Sequence, residues 1–169
     1  NAASYAARQG HPEWADAFAR AAIAIAWGES GLGQNNLGDH GMSHGVYQLY
    51  FGQGSADASG RKRGLTVAEA KVPELNVQAS MPELWSGFMA AGGGGAFAQN
   101  PQGAALRMWG AAQRPDPALL AKIGPAALQQ GYLAANGYMS GDIGNTIAGN
   151  SGGLPAVGGG GRVASNPPS

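Results

Sequence analysis

The chain has no cysteine among its 169 residues. That excludes a disulfide framework, a thiol nucleophile and a cysteine-ligated zinc site, and it leaves the redox compartment undetermined. It also lacks any stretch approaching the roughly 20 apolar residues of a membrane-spanning helix, so no membrane partner is expected. An excess of one charge is missing too. Ten basic and ten acidic residues cancel, so no global field draws the protein to nucleic acid or to an anionic surface.

Glycine, by contrast, is abundant. Thirty glycines and ten prolines are spread unevenly, with glycine runs at 92–95 and 158–161. One domain with a real core is expected over residues 1–140, followed by a Gly/Ser/Pro-rich flexible tail or linker over 141–169. The first residue is Asn1, which leads to the expectation of a processed product or a piece of a longer protein.

Residues 1–10 are alanine-rich and read as a frayed helix. From Pro12 the helix signals sharpen, with Glu13 and Asp16 at the positive end and good helix formers on to Trp27. Trp14, Phe18, Ala22, Ile25 and Glu29 fall on one face at helical spacing, and Gly31 suits a left-handed cap. Residues 31–64 read as turns around a short extended segment, Val46 to Phe51, with Arg61-Lys62-Arg63 on a solvated loop. Thr66 and Glu69 form a capping box. A helix from Glu74 to Ala91 is expected to kink or restart at Pro82, with Ser80 and Glu83 as a second cap. After a flexible run at 92–96, helices are expected over Pro101–Ala112, from Pro117 to about Ala121, and over Pro125–Ala135.

Glu29 ends the apolar stripe. Burial and the negative end of a helix both disfavour its anion, which would raise its pKa as a general acid requires. Helix geometry alone serves equally a last-turn Glu that swings into water.

The pair Glu29-Ser30, followed by Gly38-Asp39-His40-Gly41-Met42-Ser43-His44-Gly45-Val46-Tyr47-Gln48, resembles the lytic transglycosylase and goose-type lysozyme superfamily. The variant most like it occurs in phage tail and tape-measure proteins. Pro73-Glu74-Leu75-Asn76-Val77 is similar to that family's Pro-Glu-x-Asn-Ile segment, and the resemblance spans residues 12–115. It implies a mainly α, lysozyme-like domain of short helices with a glycine-rich loop or short β segment after the catalytic helix. It further implies a peptidoglycan-cleaving muramidase acting outside the cytoplasm on glycan strands, free of cofactor and metal, either secreted or tethered to a larger assembly such as a phage tail.

Carried over by position, Glu29 becomes the general acid at the bond between the alternating sugars. Asp39 matches an aspartate that helps goose-type enzymes position water, and equally reads as a turn residue before Gly41. The resemblance places Ser30, Ser43, Tyr47, Gln48, Asn76 and Trp109 in substrate binding or its support. Tyr50 stands where some goose-type enzymes carry a second aspartate, which favours the transglycosylase route over hydrolysis. Met108-Trp109-Gly110 replaces the family's Ala-Tyr-Asn, so Trp109 offers a cleft wall with only an N–H donor, or else serves as a core tryptophan. This departure keeps a non-catalytic, glycan-binding or structural role open. His40 and His44 are four apart, but the glycine-rich segment between them does not read as helical, so no metal site is expected.

Overall fold

A computed structural model describes residues 1–35, 37–38, 41–52, 63–139, 157–158 and 162–163, the three residue pairs in their backbone alone. The described residues are mainly helical, with seven α-helices and two small antiparallel sheets.

Helix α1, Ala2–Arg8, is not frayed. Asn1 caps it, its Oδ1 accepting from the Ser4 N–H at 2.9 Å, and Ala6 is completely buried. Small side chains let α1 lie close against α2, Ala15–Ser30, which is entered through a 3-10 turn at Pro12–Trp14. Helix α2 is the centre of the molecule. Phe18, Ala21, Ala22, Ala24, Ile25, Ala26 and Trp27 are all buried, so most of its circumference is covered by other elements. It stops where expected: Gly31 takes φ 60° and its N–H bonds the Trp27 carbonyl at 2.8 Å.

Next comes a three-stranded antiparallel sheet of β1, Leu37–Gly38, β2, Ser43–His44, and β3, Leu49–Tyr50, in that order. Leu37 pairs with His44, and Ser43 with Tyr50. The expected extended segment Val46 to Phe51 is thus divided, since Gly45–Gln48 form the turn between β2 and β3. Helix α3, Val67–Ala70, opens with the expected capping box of Thr66 and Glu69.

Three expectations about the later helices are corrected. Helix α4 runs unbroken over Pro73–Ala90 through Pro82. Proline removes one backbone bond, but buried Met81, Leu84 and Phe88 hold both halves on the same core. Ser80 caps nothing there; its buried hydroxyl donates to the Asn76 carbonyl at 2.8 Å within the same helix. Helix α7 is likewise continuous over Pro117–Met139 through Pro125, with Leu120, Leu128, Ala134 and Ala135 buried. The 92–96 run is not a flexible link, because Gly93–Gln99 form α5, anchored by buried Phe97.

Close approach between helices explains several glycines. A Cβ on Gly131 of α7 would stand 2.5 Å from the Ala24 carbonyl oxygen of α2. A Cβ on Gly87 of α4 would stand 2.8 Å from the Met108 carbonyl oxygen of α6, Pro101–Gln113. Within the segment expected to be a tail, β4, Val157–Gly158, pairs with β5, Arg162–Val163.

Candidate active site

Four parts of the fold meet at the C-terminal end of α2: the helix end itself, the β2–β3 turn, the α3–α4 junction and the middle of α6. Glu29 sits half-buried in the last turn of α2. The indole N–H of Trp109 donates to its Oε1 at 2.5 Å. Trp109 is only 3% exposed, so it brings the N–H edge of its ring to this site and has no open face. The contact depends on the residue before the carboxylate. A Cβ on Gly28 would lie 2.3 Å from Cη2 of the indole, so any larger side chain there would displace the ring.

The segment facing Glu29 along the chain is held by side chains that give all their observed bonds to backbone. Ser30 is buried, donates to the Val46 carbonyl at 2.6 Å and accepts from the Gly33 N–H at 2.7 Å. Asn76 is completely buried at the start of α4. Its Oδ1 accepts from the Tyr47 N–H at 2.9 Å, while its amide donates to the carbonyls of His44 at 3.1 Å and Ala70 at 2.8 Å. One side chain therefore satisfies three groups on two segments that would otherwise be buried unpaired. Gly45 makes the approach feasible, with φ 79° and no room for a Cβ, which would fall 2.1 Å from the Ala70 carbonyl oxygen.

Gln48 closes the turn from the other side. Its backbone has φ 46°, an uncommon conformation for a residue with a side chain. Its amide donates to the carbonyls of Gly45 at 2.8 Å and Asn35 at 2.9 Å. These bonds tie the turn to the loop after α2 and hold the strained residue in place.

Electrostatics distinguish the groups near the turn. The Tyr47 hydroxyl donates to the Ala22 carbonyl at 2.9 Å inside the core. Burial first, and the Glu29 charge second, push its pKa far above the ordinary phenol range, so it is a structural donor and exchanges no proton near neutrality. His44 is held below the ordinary histidine value, first by desolvation and then by Lys71, and its buried Nδ1 has no hydrogen-bond partner among the described residues. At Glu29 the Trp109 N–H favours the ionised carboxylate, against the effects of burial and the helix end.

Of the six residues expected to serve substrate binding, Ser30, Ser43, Tyr47, Asn76 and Trp109 are buried, and only Gln48 is partly exposed. Of the buried five, Ser30 and Asn76 hold the backbone of the turn, Tyr47 anchors it to the core and Trp109 bonds Glu29. Asp39 and His40 lie outside the described residues. His11 is stacked on Trp14 at 3.9 Å and bonded to Glu13. No group of three metal-ligating side chains occurs among the described residues.

Gly28 was not legible as a site residue, although it is the one glycine inside an otherwise helix-favouring α2. A separate cavity of about 590 Å³ lies by the N-terminal half of α2, between Trp14, Arg20, Phe97 and Tyr132. None of the expected site residues lines it, and Arg20 is already engaged by Asp16 at 2.8 Å and by Asn136. No protein-family profile matches the chain, and neither curated proteins nor solved structures give a match.

Proposed function

We propose that the protein is a peptidoglycan-cleaving muramidase of the lytic transglycosylase type, with Glu29 as its acid and base. The observation that carries this reading is the seat of Glu29: a half-buried carboxylate at the end of the central helix, with one oxygen held by a donor 80 residues away. A fold gains little stability by keeping a carboxylate in such a place, whereas proton transfer to a glycosidic oxygen requires one. The small sheet directly after α2, with Asn76 and Gln48 fixing its turn, supports the finer reading of a lysozyme-like domain.

In the proposed reaction the Glu29 carboxyl protonates the oxygen between the two alternating sugars as the C1–O bond breaks. The sugar's own 6-hydroxyl then attacks C1 and its proton returns to Glu29, leaving a 1,6-anhydro ring and an unchanged enzyme. Hydrolysis would use water in place of that hydroxyl, with Asp39 to orient it. Such a substrate puts the protein outside the cytoplasm, and its zero net charge and Gly-rich end suit delivery by tethering, as on a phage tail.

Release of soluble fragments from purified peptidoglycan tests this reading. Glu29→Gln keeps the indole bond acceptor but supplies no acid, so release is expected to fall by roughly 10³-fold while the thermal midpoint stays near that of the parent. Equal release by parent and variant would remove Glu29 from the chemistry.

A further inference from the structure

We propose that the cavity of about 590 Å³ beside the N-terminal half of α2 is a second binding site, separate from Glu29, and that it takes a neutral saccharide. Its volume lies within the roughly 300–1,000 Å³ of small-molecule sites. The 3-10 turn, α2, α5, the start of α6 and α7 all contribute to its wall. Arg20 stands nine residues before Glu29 on α2, a separation of about 14 Å along the helix and about half a turn around it. The cavity therefore lies on the other side of α2 from the acid.

Arg20 is held in place before any ligand arrives. Its Nε donates to Asp16 Oδ2 at 2.8 Å and its Nη1 to Asn136 Oδ1 at 2.5 Å, which links α2 to α7. These bonds leave Nη2 and the N–H groups of Asn136 and Gln102 without partners among the described residues. Asp16 keeps its second carboxylate oxygen. Tyr132 donates its hydroxyl to the Pro101 carbonyl at 3.2 Å and keeps its own oxygen as an acceptor. Burial pushes that phenol far above its ordinary range, against the opposing pull of Arg20, so it stays neutral.

These groups select a ligand by elimination. A cation meets the Arg20 guanidinium, and an anion meets the carboxylates of Asp16 and Glu13. An apolar ligand would strip water from Nη2 and the second Asp16 oxygen without replacing its bonds. A hydroxyl both accepts and donates, so neighbouring hydroxyls of a sugar satisfy Arg20 and Asp16 without separating the pair. Phe97, Ala98 and Pro101 supply an apolar wall for the C–H face of the ring. Solvent reaches the cavity, since Asp16, Ala98 and Gln102 are exposed. That the saccharide is wall glycan rests on the muramidase reading; the site would then hold one part of the wall while Glu29 cuts another.

The test titrates the nitrogen-labelled chain with N,N′,N″-triacetylchitotriose, a neutral sugar, and follows the backbone amide signals by NMR. Saturable movement of the Ala17, Arg20, Phe97 and Asn136 signals is expected. Arg20→Met removes the donor, and Ala98→Trp fills the cavity from an exposed position while leaving every polar group in place. Each is expected to weaken this binding at least about tenfold, with the spread of the amide signals showing that the variant is folded.

Movement confined to signals around Gln48 and Trp109 would put the sugar at the Glu29 site and overturn the inference. So would binding that Ala98→Trp leaves as strong as in the parent, or cavity signals that answer to a zwitterionic dipeptide and not to the sugar. Binding is read here without cleavage. Failure of the muramidase reading shows as peptidoglycan left intact by the parent, and failure of this inference as cavity signals unmoved by the sugar.

Discussion

Asn76 concentrates more structure than any other polar side chain near the site. It pairs with Tyr47, His44 and Ala70 with no exposure of its own. Asn76→Ala leaves one N–H and two carbonyls buried without partners, and each unpaired group costs about 1–3 kcal/mol. A loss of about 3 kcal/mol or more is expected in urea denaturation, and a much smaller loss would mean that water replaces the amide. At this scale the sequence was legible wherever the cause is local. Glu29 on the apolar stripe, the left-handed Gly31 and the capping box of Thr66 and Glu69 all follow from a few neighbouring residues. Asn76 and Gln48 stood out through their motifs, but not as clamps, because their partners are set by the folded chain. The bond of Trp109 to Glu29, which Gly28 makes room for, spans 80 residues, and no local pattern encodes it.

Among the elements, α2 and α7 make the most extensive contact, and it depends on glycine at position 131. Alanine there would favour the isolated helix by about 1 kcal/mol. Its Cβ, however, would stand 2.5 Å from the Ala24 carbonyl oxygen, and overpacking against backbone costs about 1–3 kcal/mol. The clash outweighs the propensity, so Gly131→Ala is expected to lower stability by about 1–2 kcal/mol in chemical denaturation. Stability equal to or above the parent would show that α7 can shift freely on α2. A restart at Pro82 and a break before Pro125 were expected and not found. Pro82 and Pro125 each remove a backbone bond, yet buried residues lie on both sides of each proline. Periodicity and proline rules weigh the local loss, while tertiary burial decides the outcome. The glycines at 93 and 94 misled in the same way, since Gly94 leaves room for the Trp14 indole, 2.2 Å from where a Cβ would stand.

For the whole molecule, the arrangement is a central apolar helix enclosed by others, with a small sheet at its C-terminal end and one carboxylate where they meet. The mainly helical class was legible from periodicity and composition. The site's support was less so, because five of the expected contact residues lie beneath the surface, and of these Ser30 and Asn76 bond the backbone of the turn beside Glu29. Such a division suits a glycosidase, in which a rigid buried framework holds a single acid in register with a long polymer. Mass spectrometry of the fragments released from purified peptidoglycan, with Glu29→Gln in parallel, tests the central claim most directly. The account predicts fragments ending in a 1,6-anhydro sugar from the parent and none from the variant. Peptidoglycan left intact by the parent would contradict it.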